Sequence, residues 1–133
     1  MSTSNNISIS LSEGSQGSVS EVRVDGVIDT ITAGQLEEVF EALIRRGRYR
    51  IVVDLAGVDY ISSAGWGIFI SNIRDVRNND GDIKLANMAS NVYEIYDLLE
   101  FDNVLRTYQT LEAARASFVP VDDQKKKPTD QSG

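Results

Sequence analysis

The 133-residue sequence contains neither cysteine nor histidine. That removes disulfides, thiol nucleophiles, the usual zinc ligand sets and the commonest general base. Most enzyme mechanisms lose a required part, so no catalytic residue, cofactor or metal is expected. Positive charge is scarce as well, with 13 Lys and Arg against 20 Asp and Glu and a formal charge of −7. Phosphate backbones and anionic lipid need clustered Lys and Arg, which makes nucleic acid and membrane surfaces poor partners. No stretch approaches the roughly 20 apolar residues of a membrane span. The opening MSTSNNISIS lacks the basic and apolar regions of a signal peptide. A cytoplasmic protein is the expectation.

What is present fits one compact domain. A hydrophobic content of 41% over 133 residues supplies a real core and leaves little room for a second one. Residues 1–6 are polar and expected to be flexible. The tail at 119–133, VPVDDQKKKPTDQSG, has proline, charge and no periodicity, and is expected to be disordered. Its three lysines are cancelled by Asp122, Asp123 and Asp130, so the acidic charge belongs to the folded part, residues 7–118. The lysine run reads as solvation and not as a targeting signal.

Hydrophobic periodicity places the elements. Residues 7–11 suit a short strand, and VSEVRVDGVI puts Val22 and Val24 on one face with Glu21 and Arg23 on the other, which predicts a hairpin. From Thr30 to Arg46 the residues Leu36, Val39, Phe40, Leu43 and Ile44 recur at helical spacing, and Gly47 follows as a stop. IVVDL at 51–55 is a β-branched run whose uninterrupted apolar start predicts a central strand covered on both faces. A second helix follows VDYISS and runs to about Arg77, with Trp66, Phe69, Ile70, Ile73 and Val76 on one stripe. DIKLAN predicts a strand, and Val92, Ile95, Tyr96 and Leu99 mark a third helix. VLRTY predicts a last strand, and TLEAARASF a closing helix capped by threonine. Strands alternating with helices imply an α/β fold: a mixed, largely parallel sheet of four to five strands with about four helices.

The stretch VDYISSAGWG, residues 58–67, is where chemistry concentrates. Strand-to-helix turns in such folds gather at the carboxyl ends of the strands, where free N–H groups at helix starts can hold an anion. Serine is a favoured N-cap, and capping needs only one of Ser62 and Ser63. The other hydroxyl is then available for modification. Neither has a neighbouring His or Lys as base and there is no G-x-S-x-G elbow, which argues against a self-contained serine hydrolase.

Three segments in this order carry a family resemblance: VDGVIDT at 24–30, IVVDLAGVDYISSAG at 51–65 and GDIKLANMASNVYEIYDLLEFDNVL at 81–105. They resemble the STAS domain of bacterial anti-sigma factor antagonists over about Ile7 to Phe118. The resemblance implies partner switching. An anti-sigma factor that is also a serine kinase would be bound while a particular serine is unmodified and released once that serine is phosphorylated, with a serine phosphatase restoring the hydroxyl. Family members commonly carry Asp-Ser-Ser-Gly or Asp-Ser-Ala-Gly here. The phosphorylated slot is Ser63, followed by Ala64 and Gly65, while Ser62 stands in the place of the acid. The family's Gly-x-x-Asp turn resembles Gly26 to Asp29, which makes Asp29 a second partner-binding candidate, against the plainer reading of a turn acid that caps the first helix.

Two residues beyond the serines bear on the partner surface. Trp66 shares the apolar stripe and is expected in the core. Ile68 is placed by helical phase away from that stripe, beside Ser71, Asn72 and Asp75, and is expected to meet solvent unless a partner covers it. Two other readings stay open: a passive STAS subunit or scaffold, as in a signalling assembly or a lipid-transport ATPase, in which the serine turn is only a cap, and a small-ligand or nucleotide-binding module using the anion-friendly turn.

Overall fold

The computed structural model describes residues 7–13 and 19–118. The expected flexible start and disordered tail, with its lysine run, lie outside the described residues. The elements in chain order are β1 (Ile7–Glu13), β2 (Ser20–Ile28), α1 (Ala33–Arg45), β3 (Arg50–Ile61), α2 (Ser63–Arg77), β4 (Asp82–Ala86), α3 (Ser90–Leu98), a 3₁₀ turn (Phe101–Asn103), β5 (Arg106–Tyr108) and α4 (Leu111–Ala116). The strands lie side by side in sequence order. β1 is antiparallel to β2, and the other neighbours are parallel. The expected mixed, largely parallel sheet is therefore present with five strands.

Stepwise parallel strands joined by crossovers of one hand place the intervening helices on one face of the sheet. Phe40 and Leu43 of α1, Trp66 and Phe69 of α2 and Val92 and Tyr96 of α3 accordingly share one buried cluster with Ile51, Val53 and Leu55 of β3. α4 crosses to the opposite face, where Ala114 packs on Val52 and Ala86. β3 is thus covered on both sides, as its apolar start foretold. No described helix is long and apolar enough to cross a membrane.

Local chemistry explains most element ends. Gly47 has φ 75°, its N–H donates to Ile44 O at 3.0 Å, and the Arg48 N–H reaches back to Leu43 O at 2.9 Å. That pair of bonds closes a helix through a left-handed residue, which glycine supplies without steric cost. Thr110 Oγ1 accepts the Ala113 N–H at 3.0 Å and starts α4.

Three readings of the sequence need correction. α1 begins at Ala33 and not Thr30, because Asp29 and Thr32 lock the preceding residues into a turn. β3 does not stop at Leu55 but runs to Ile61. β2 continues alongside it past two register shifts, and Gly57 permits this, since a Cβ there would lie 1.7 Å from Asp25 Oδ1. The third correction concerns Ile68. It is half-buried and packed against the core, and its neighbour Asn72 is buried, its Nδ2 donating to Ile68 O at 2.8 Å and reaching Glu37 Oε1 of α1 at 3.5 Å. α2 packs laterally on α1 as well as down on the sheet, with the Phe40 and Phe69 rings edge to face at 5.9 Å. Its buried arc is wider than one stripe, and only Ser71 and Asp75 of the supposed outer face are exposed. Trp66 is 2% exposed, its ring 5.0 Å from that of Phe101 and 6.1 Å from that of Tyr96, so its core placement holds.

Two outcomes follow from this packing. A Cβ at Gly65 would meet Ile28 Cγ2 at 2.6 Å and Ile61 Cγ2 at 2.8 Å, whereas one at Gly67 meets nothing within 4 Å. Overpacking costs about 1–3 kcal/mol and exceeds the roughly 0.5–1 kcal/mol gained by removing a helical glycine. Thermal melts should therefore show Gly65→Ala destabilised and Gly67→Ala stabilised; equal shifts would contradict the close approach. Ile68→Asp should also lower the melting temperature, though by less than Phe69→Asp, because part of the Ile68 side chain already meets water. An unchanged melting temperature for Ile68→Asp would return that residue to the free surface.

Candidate functional site

β2 and β3 end together, with Ile28 opposite Ile61. The Ser62 N–H donates to Ile28 O at 2.8 Å, extending the sheet bonding by one residue. This bond brings the turn after β2, with Asp29, beside the turn after β3, with Ser62 and Ser63. Ser62 keeps extended geometry at φ −80° and ψ 174°. Its carbonyl accepts the Trp66 N–H at 3.0 Å, and its Oγ accepts the Gly65 N–H at 3.3 Å. Ser62 is the helix cap. Ser63 is the first residue of α2 and is exposed, Ala64 is half-buried, and Gly65 is buried against the strand ends.

The electrostatics of this turn favour an anion. By helix geometry the N–H groups of Ser63 and Ala64 have no intrahelical acceptor. α2 is 15 residues long, with no acidic residue in its first turn and Arg74 and Arg77 in its last, so the positive end of its dipole is uncompensated by a side chain. The Ser63 hydroxyl has no imidazole or thiolate anywhere in the chain to activate it. The hydroxyl stands exposed at the helix start.

Asp29 is half-buried and spends its acceptor capacity on its own turn. Its Oδ1 accepts the Ile31 N–H at 3.0 Å and the Thr32 N–H at 3.0 Å, while the Thr32 hydroxyl accepts the Asp29 N–H at 2.9 Å and donates to Val27 O at 2.7 Å. The Thr32 N–H above all, then the Thr32 hydroxyl and the Ile31 N–H, hold the Asp29 carboxyl below its ordinary range despite the opposing effect of desolvation. The turn-organising role of this acid is therefore real, and one carboxylate oxygen serves it.

The same end of the molecule carries apolar surface that sequence reasoning missed. Ile31 is 69% exposed in the Asp29 turn, and Tyr60 is 53% exposed two residues before Ser62. Ile95 lines a small groove with Tyr60 and the edge of Trp66, and Leu98 and Leu99, one turn further along α3, are exposed at 73% and 49%. Of the four residues whose spacing marked α3, only Val92 and Tyr96 are buried. A signal was available. Six large apolar residues within 92–99 are too many for one buried stripe on a nine-residue helix.

Known proteins are similar to this chain in sequence and fold. The STAS domain family matches residues 14–114. BtrV of Bordetella bronchiseptica is 32% identical over 95 residues, covering 71% of this chain and 82% of that protein. The anti-sigma-B factor antagonist of Staphylococcus epidermidis is 26% identical over 92 residues, 69% of this chain and 85% of its own length. A crystal structure of an anti-sigma factor antagonist from Mycobacterium paratuberculosis has the same fold, with a TM-score of 0.78 at 24% identity over 89% of this chain and 98% of that one. From the family match across the sheet and its helices, and from a relative nearly one-third identical over most of its length, the chain belongs to the STAS domain family.

Proposed function

We propose that this protein is an anti-sigma factor antagonist that works by partner switching through Ser63. It binds an anti-sigma factor with serine kinase activity while Ser63 is unmodified, and phosphorylation releases it until a serine phosphatase restores the hydroxyl. The observation that carries the reading is the division of labour between adjacent serines: Ser62 Oγ is engaged as the helix cap, and Ser63 is exposed at the start of a long helix. Asp also caps well, so a serine in the place of the family's acid keeps the cap and leaves Ser63 where it was. The relative from Staphylococcus epidermidis bears the name of the same role.

The switch is one of charge. A phosphoserine adds about −1.5 to −2 charges, which the free N–H groups and dipole at the start of α2 accommodate. The partner's nucleotide phosphates do not. At about 7 Å and an effective dielectric near 20, a unit-charge repulsion is roughly 2.4 kcal/mol, or about fiftyfold in affinity. The partner face comprises Ser62, Ser63 and Ala64 with Gly65 beneath them, Asp29 and Ile31 on one side, and Tyr60 with the apolar face of α3 on the other. Ile68, held against the core, contributes its exposed edge only. All catalysis belongs to the kinase and phosphatase.

The assignment separates the two serines by stability and by labelling. Ser62→Ala should lose about 0.5–2 kcal/mol of stability with its cap and still accept phosphate from the cognate kinase and ATP. Ser63→Ala should keep its stability and accept none. Label persisting on Ser63→Ala would remove the switch assignment, and a fully stable Ser62→Ala would reverse the roles of cap and acceptor. Absence of phosphate on chains isolated from growing cells, with and without phosphatase inhibition, would favour the passive-subunit reading.

A further inference from the structure

The two edges of the sheet are built differently. β5 is three residues long and carries Arg106, and short length and charge are ordinary protections of a free edge. β1 has seven residues, pairs with β2 in unbroken register and is the outermost strand. Its sequence, ISISLSE, holds no Lys, Arg or Pro. Its single charge, Glu13 at the last position, is engaged by Arg46. Among the described residues no strand pairs with its outer edge, which leaves a row of backbone donors and acceptors to be satisfied from outside.

The strand is complementary to itself. Laid antiparallel on a second copy with Ser10 on the two-fold axis, Ile9 faces Leu11, Ser8 faces Ser12, and only the end pair, Ile7 with Glu13, is mixed. Alternation puts the apolar members on the face of the main core, where Ile7 and Ile9 already pack and Leu11 is left 41% exposed. Ser8, Ser10 and Ser12 are all exposed. A second β1 would therefore continue the buried cluster across the seam and place hydroxyls opposite hydroxyls on the other face.

We propose that β1 is a homodimerisation edge, on which a second copy of this chain adds its own β1 antiparallel and joins the two sheets into one. The self-pairing leaves one charged side chain at each end of the seam and none at its centre, so the surplus acidic charge of the chain is not concentrated there. The Ser63 turn lies at the end of β3, two strands inward, so both copies keep it open to a partner. The dimer is independent of the phosphoswitch.

Because the chain lacks cysteine, single cysteines test the register directly. In Ser10→Cys the paired Cα atoms lie about 4.5–5.5 Å apart across the axis, within disulfide reach. In Ser12→Cys each residue 12 faces residue 8, so the two cysteines are about 14 Å apart, beyond the roughly 7 Å limit. Under mild oxidation of the full-length protein, Ser10→Cys should form a covalent dimer. Ser8→Cys and Ser12→Cys should each form no disulfide alone and cross-link when mixed. Sedimentation of the unmodified chain should show a dimer that dissociates on dilution, and Ser10→Lys should be monomeric at every concentration with an unchanged fold by circular dichroism. A monomer throughout, a dimer that survives Ser10→Lys, or Ser12→Cys cross-linking as fast as Ser10→Cys would each overturn the proposal. So would slow exchange of the outward-pointing β1 amides, those not bonded to β2, in a monomer, which would mean that another part of the same chain covers the edge.

Discussion

The close approach of the first turn of α2 to the ends of β2 and β3 is the contact on which the site depends. Gly65 lies against Ile28 and Ile61 with no room for a methyl group, and the Ser62 N–H is bonded to Ile28 O. With these two contacts fixed, the helix cannot rotate about its axis, because Trp66 and Phe69 are committed to the core beneath it. Ser62 must then turn its side chain inward as a cap, and Ser63 must turn outward. The exposed hydroxyl is a consequence of packing. Helix N-termini favour anions locally, so under the proposed switch a phosphate on Ser63 is a perturbation that the domain absorbs and the partner surface does not.

The apolar exposure around the turn has the opposite character. Ile31, Tyr60, Leu98 and Leu99 are exposed, as are the acidic residues Asp59, Glu94 and Asp97, a composition suited to an interface that buries area and is also sensitive to added negative charge.

Much of this was legible from sequence, and the failures have physical causes. Helical spacing placed Trp66, Phe69 and Val76 in the core, and the β-branched run at Ile51–Val53 marked the strand buried on both faces. The far end of β3 was not legible, because AGVDY has no alternation and becomes strand only through the register shifts of its pairing with β2. Ile68 and Asn72 were misassigned because single-helix phase knows the sheet below but not the neighbouring α1, which buries a second side. In α3 the spacing marked the helix but did not show its depth: Ile95 and Leu99 lie on that spacing and are exposed. The presence of two serines was visible, whereas their separate roles needed the capping bond.

The claim that joins these parts is that a negative charge on Ser63 is tolerated by the fold and rejected by the partner. Its most direct measurement compares the dissociation constant of the unmodified chain with that of the chain stoichiometrically phosphorylated at Ser63, each titrated into the nucleotide-bound anti-sigma kinase, alongside thermal melts of both forms. The account expects affinity to fall by about fiftyfold or more while the melting temperature stays nearly constant. Equal affinities, or a loss of binding that merely tracks unfolding of the phosphorylated chain, would contradict it.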